Sequence, residues 1–255
     1  MRGTSRAILN ADQFNVRHFM KLITVLSALL CSLPTIEAQS WSDQALYQQL
    51  ISKDSESDAA LTKILHETES HGAIVLFVSS AKALHENHVK DSAFLFYVAR
   101  LRAQYDKLIF PPSQTGGDSP FTLIAALQSD LGQTLSPKIF DDPKALAGAL
   151  ALLETWKPTL GDNYDPGWSY LKRGDEREAQ EQVKKRKALF LNAMNPISAL
   201  LEDEKYFKAF TIVQDYHLKH GADRPSKSEF DVAVDTMQQI EKAKNLKGLS
   251  ASAKG

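Results

Sequence analysis

Histidines in close pairs are the first residues whose types and spacing suggest chemistry. His66 and His71 flank Glu67-Thr68-Glu69-Ser70. A zinc-protease helix places its histidines four apart on one face, whereas a spacing of five puts them about 140° apart around a helix. That motif therefore fails. His85 with His88, and His217 with His220, are three apart and would present two imidazoles on one side of a helix, the geometry of a partial zinc or copper site. Both pairs also fall where helices are expected to end, and there a histidine interacts favourably with the last carbonyls and the negative end of the dipole. The second reading is the simpler one, so no metal or cofactor is expected. Gly116-Gly117 is not a phosphate loop, because no Lys-Ser/Thr follows it and no strand precedes it.

Two long irregular segments hold the remaining candidates. One runs from Phe110 to Pro120. The other, Trp156 to Tyr170, reads WKPTLGDNYDPGWSY. Long loops between good helices are more often functional than average. Trp156, Tyr164, Trp168 and Tyr170 would give a rigid amphipathic surface, since aromatic rings contribute a large contact area at small entropic cost. With Asp162, Asp165, Asp118 and the helical Arg100 they form the candidate binding set. The competing reading is that these rings simply fasten the loop to the helices. Asp162-Asn163-Tyr164-Asp165 lacks the alternating oxygen ligands and the glycine of a calcium loop. An envelope hydrolase would have to draw acid and base groups from Asp118, Asp162, Asp165 and a histidine, and no nucleophile motif or paired-carboxylate spacing accompanies them.

The apolar run Leu22 to Leu33, LITVLSALLCSL, follows Arg17 and Lys21 and precedes Pro34 and Ala38. It is too short to span a bilayer, which takes about 20 residues. Its order of basic, apolar, breaker and small residues is that of a secretory signal with cleavage after Ala38. Met1 or Met20 would be the start. Cys31, the single cysteine, would leave with the signal, and Leu29-Leu30 before it do not suit lipid anchoring. The mature chain would then have no thiol, which excludes cysteine nucleophiles, thiolate zinc sites and disulfides. It would be mildly acidic as well, since the whole chain has 30 Lys+Arg against 31 Asp+Glu and the leader is net basic. Nucleic acid is not an expected partner.

Beyond Trp41 the apolar period is helical almost throughout. Ser119-Pro120 and Asp142-Pro143 are helix starts, with proline in the first turn and a capping side chain before it. Ser226 with Glu229 is a capping box. A helix from Ala179 is expected to stop before Pro196, and the one holding Tyr206 to Tyr216 to end at a Gly221 cap. The run Lys184 to Lys187 reads as a solvated face paired with Glu176, Glu178 and Glu181. Ala73 to Leu84 is read as a buried helix despite its β-branched residues. Ala93 to Phe110, with a thin polar face containing Arg100, Arg102 and Asp106, should be central.

The small and aromatic residues Ala93, Tyr97, Ala99 and Ala103 resemble the second helix of a tetratricopeptide or Sel1-like repeat, over about one repeat at 73–110. The resemblance implies a helical-hairpin scaffold with a concave partner-binding face, and no catalytic residue. The expectation is an all-α array of antiparallel helical hairpins. A signal at 1–38 would precede one domain at 39–246 and a flexible tail at 247–255. The protein would be periplasmic or secreted, without a membrane span after cleavage, and would recognise a protein partner in the cell envelope as an adaptor or immunity-type protein. A periplasmic metal carrier, resting on the histidine pairs, is the third reading.

Overall fold

The computed structural model describes residues 42–52, 55–114, 119–161 and 163–253. The expected signal segment with Cys31, and also Trp41, Asp118 and Asp162, lie outside the described residues. Within them are ten α-helices and no strand. They are α1 (Gln44–Ile51), α2 (Ser55–His66), α3 (Ala73–His85), α4 (Val89–Ile109), α5 (Pro120–Phe140), α6 (Pro143–Thr155), α7 (Glu176–Leu201), α8 (Glu204–Leu218), α9 (Lys227–Lys244) and α10 (Ser250–Ala253). No helix among the described residues is long and apolar enough to cross a membrane.

The fold is organised around α4, which packs against α3, α5, α6 and α7. Leu95, Val98, Ala99, Tyr105 and Ile109 are all fully buried, so this helix has apolar neighbours on most of its circumference. A three-residue turn with Asn87 at φ 62° joins α3 to α4. Small residues let the two helices approach closely: Ser80 Oγ donates to the Ser92 carbonyl (2.7 Å) and Ser92 Oγ donates back to the Ser80 carbonyl (2.8 Å). Both serines are fully buried, and this exchange satisfies polar groups that would otherwise be costly there.

The helix starts follow the sequence signals. Ser119 accepts from the Phe121 N–H, Asp142 from the Ala145 N–H, and Ser226 and Glu229 form a reciprocal capping box. Two helix ends differ from expectation. The seventh helix passes through Pro196 to Leu201. Proline removes one intrahelical bond, but the carbonyl it leaves free belongs to exposed Asn192, while Ser198, Leu200 and Leu201 are buried and hold the last turns in place. The eighth ends at Leu218 with an extended Lys219, and Gly221 (φ 70°) opens a short 3-10 turn instead of capping the helix.

Lys187 does not belong to a solvated face. Its ammonium reaches across to the open end of α6 and donates to the carbonyls of Glu154 and Trp156, each at 2.7 Å. Partial burial, helped by nearby Lys157, lowers its pKa. Residues beyond 246 are anchored at their start. Tyr206 Oη donates to Glu241 Oε1 (2.7 Å) and accepts from the Leu249 N–H, and Ser250 Oγ donates to Glu241 Oε2 (2.5 Å). A Cβ on Gly248 would lie 2.4 Å from that tyrosine oxygen, so any larger residue would have to push the Tyr206 and Glu241 side-chain ends apart.

Candidate functional site

The two irregular segments meet. Phe110 to Gln114 and Ser169 to Leu171 pair through an antiparallel bridge at Pro112 and Tyr170. The Ser113 N–H donates to the Ser169 carbonyl and the Leu171 N–H to the Pro111 carbonyl, both at 3.0 Å. Trp168 Nε1 donates to the Phe110 carbonyl (2.9 Å), and its ring packs edge-on against Phe121 at 5.3 Å. Phe110 receives Tyr164 and Tyr170 at 5.8 and 5.0 Å. The backbone then returns so close to α4 that the Gly174 N–H bonds the Ile109 carbonyl at 2.7 Å, and a Cβ on Gly174 would sit 2.3 Å from the Leu108 oxygen.

The expected binding residues divide into two sets. Trp156 is buried at the end of α6, Tyr164 and Trp168 are half-buried against the core, and Asp165 is half-buried with its Oδ1 accepting from the Gly167 N–H. Tyr170, 43% exposed, and its neighbour Leu171, 74% exposed, face outward on backbone held by the bridge. Leu171 was not among the sequence candidates.

Beneath this edge lies a buried polar network that the sequence reading missed. Arg102 and Asp106 have no solvent exposure and are joined at 2.8 Å. Arg102 Nη1 also donates to the carbonyls of Glu69 and Thr159, each at 2.8 Å, tying two loops to α4. Tyr164 Oη donates to Asp106 Oδ2 (2.8 Å), and its ring lies 4.3 Å from the guanidinium carbon. Burial pushes the Tyr164 pKa well up, and the Asp106 carboxylate adds to the rise. Burial likewise lifts Asp106, with the Arg102 charge and the Tyr164 hydroxyl pulling it back. Nearby, Asp43 accepts from His71 Nδ1 (2.8 Å) and from the Gly72 N–H (2.6 Å). A histidine–aspartate pair can serve a general base when its outer nitrogen faces a substrate. Here His71 is buried, the charged group nearest its Nε2 is Glu67 at 3.9 Å, and the cavity beside Asp43 has a volume of about 10 Å³, room for one water. This geometry fastens the loops and offers no substrate space.

No protein family model, curated protein or solved structure matches the chain.

The roomy concavity is elsewhere, a groove of about 240 Å³ between α4, α6 and α7, lined by Tyr97, Arg100, Leu101, Gln104, Leu153, Arg186, Leu189 and Phe190. The rings of Tyr97 and Phe190 meet at 4.7 Å, tilted by 50°, to form its wall, and burial pushes the Tyr97 hydroxyl up to about 12 against the pull of Arg100. Neither Arg100 nor Arg186 forms an ion pair among the described residues. Of the sequence candidates only Arg100 lines the groove. The other arginine comes from the basic run on α7, where Arg186 and Leu189 lie three apart on one face, a juxtaposition visible in sequence only once α7 is known to pack on α4. As for the histidines, His85 ends α3, His88 is the N-cap of α4, and no cluster of three or more His, Cys, Asp or Glu suited to a metal occurs among the described residues.

Proposed function

We propose that this chain is exported through its N-terminal signal and acts by binding a protein partner in the cell envelope, as an adaptor or immunity-type protein. The carrying observation is the paired edge. Two segments far apart in sequence are locked together by the Pro112–Tyr170 bridge, its flanking backbone bonds and the Trp168 indole bond to the Phe110 carbonyl, and they hold Tyr170 and Leu171 exposed on fixed backbone. Presenting apolar side chains on preordered backbone lowers the entropic cost of association. The turn-linked α3–α4 pair, with its small buried residues, supports reading that unit as a tetratricopeptide- or Sel1-like hairpin within the scaffold.

The test has two parts. Mass analysis of the protein made in its natural host should give a mature chain starting at Gln39 in the envelope or medium. Cross-linking and copurification should return a stoichiometric protein that is lost from the Tyr170→Ala/Leu171→Ser variant. A chain retained in the cytoplasm with residues 1–38 attached, or a partner retained equally by that variant, overturns the reading.

A further inference from the structure

We infer that the groove between α4, α6 and α7 is a docking site for an extended acidic segment of a protein partner, one that alternates carboxylate and apolar side chains. The inference rests on the partner-binding reading above and names the chemistry of a second contact. Its basis is the pairing of charge with an apolar wall. Arg100, whose guanidinium carbon also lies 5.7 Å from the Phe96 ring centroid, and Arg186 reach the groove from different helices and have no ion-pair partner among the described residues, and the apolar wall beside them is Leu153 with the touching rings of Tyr97 and Phe190. An ordinary solvated arginine pair does not need such a wall. A bound carboxylate is what two guanidinium forks without an ion-pair partner would accept best.

One further group separates a peptide from a free carboxylate. Gln104 lines the groove, and its side-chain carbonyl Oε1 is buried with no hydrogen-bond partner among the described residues. It needs a donor. A fatty acid or another small carboxylate brings only acceptors, whereas an extended peptide brings backbone N–H groups, with alternate side chains directed to opposite sides. The wet side would carry carboxylates to the arginines and the dry side would lay apolar groups on Leu153 and Phe190. The chain's own N-terminal region has the wrong sign, with Arg2, Arg6, Arg17 and Lys21 against Asp12 and Glu37.

The probes are a short capped peptide of alternating Glu and Leu, its Gln-for-Glu counterpart, and octanoate, each titrated into the full chain. Binding is read by fluorescence anisotropy and by NMR shifts of the arginine side-chain N–H and leucine methyl groups. The acidic peptide should shift Arg100, Arg186, Leu153 and Leu189. Arg100→Gln and Arg186→Gln should each weaken it roughly ten-fold or more, the scale of one lost charged hydrogen bond, with unchanged thermal unfolding. Gln104→Leu should weaken the peptide and leave octanoate unaffected. Equal binding of the neutral peptide, or a Gln104→Leu substitution that weakens octanoate as much as it weakens the acidic peptide, overturns the proposal. So does a groove that stays silent to all probes. If the envelope partner is then still lost only on changing Tyr170 and Leu171, the groove inference fails and the partner-binding reading survives. If the acidic peptide binds while no partner is captured in the envelope, the failure is that of the earlier reading.

Discussion

Substituting Asp106 by Asn should lower stability by about 3–5 kcal/mol, the usual cost of stranding one member of a buried ion pair. The structure supplies the reason. Arg102 and Asp106 have no solvent exposure and their charged atoms are 2.8 Å apart, so at an effective dielectric constant of about 20 their attraction is roughly 6 kcal/mol. Asparagine preserves the shape and one acceptor but removes the counter-charge, and the guanidinium cannot release a proton to compensate. For a folded body of this size the loss corresponds to a fall in Tm of roughly 6–20 °C. Urea and thermal unfolding should be measured for Asp106→Asn, Arg102→Met and the double variant Arg102→Met/Asp106→Leu. The double variant should cost clearly less than the sum of the single ones, since no lone charge remains, although the Glu69 and Thr159 carbonyls still lose their donor. Tyr164→Phe, which removes only the hydroxyl bonded to Asp106, should cost about 1.5–3 kcal/mol. An Asp106→Asn protein within about 0.5 kcal/mol of the natural one, or strict additivity in the cycle, would refute the view that a low-dielectric ion pair holds the loops.

Other changes follow from single contacts. Gly174→Ala should destabilise by about 2 kcal/mol or more, because its Cβ would meet the Leu108 oxygen at 2.3 Å, whereas Gly161→Ala, with open space around it, should be neutral in the same urea titration. Lys187→Met should cost about 1 kcal/mol, reflecting two carbonyls at the end of α6 left to water, and amide exchange in the last turn of that helix should quicken. The pKa values of Tyr97 and Tyr105 are raised by burial to about 12, so the fold favours their neutral forms. That contribution is fully present below about pH 10 and is lost as pH rises towards about 12, which alkaline unfolding monitored by tyrosinate absorbance would show. Asp58 and Asp203 are held below the usual carboxylate range by hydrogen bonds from Lys82 and Lys244. Their contribution is present above about pH 4 and disappears as pH falls through the lowered values.

The helical class, the buried α3, the central α4 and three of the capped starts could be read from the sequence because each depends on local chemistry: a period, a proline in a first turn, a side chain within reach of a free N–H. The ends of α7 and α8 could not, because packing of Ser198, Leu200 and Leu201 outweighs the proline signal, and because Gly221 serves a turn beyond the helix. The polar face assigned to α4 shows the limit at the site. Arg102 and Asp106 are four apart and share a face, while Arg100 lies about 160° from Arg102 and about 120° from Asp106 around the helix, so the three could not form one stripe. That angle was available in the sequence and separates the groove arginine from the buried pair. The partners of the pair, carbonyls of Glu69 and Thr159 and the hydroxyl of Tyr164, come from distant loops and leave no local trace. The aromatic segment at 156–170 mixes both roles, with Trp156, Tyr164 and Trp168 turned to the core and Tyr170 left outside.

Partner binding through the paired edge is tested most directly by a photo-crosslinking amino acid placed in turn at Tyr170, Leu171 and, as a control on the exposed surface of α9, Val232, with irradiation in the natural host. The account predicts one defined protein adduct from Tyr170 and Leu171 and none from Val232. Adducts of equal yield at all three positions, or none at any, would contradict it.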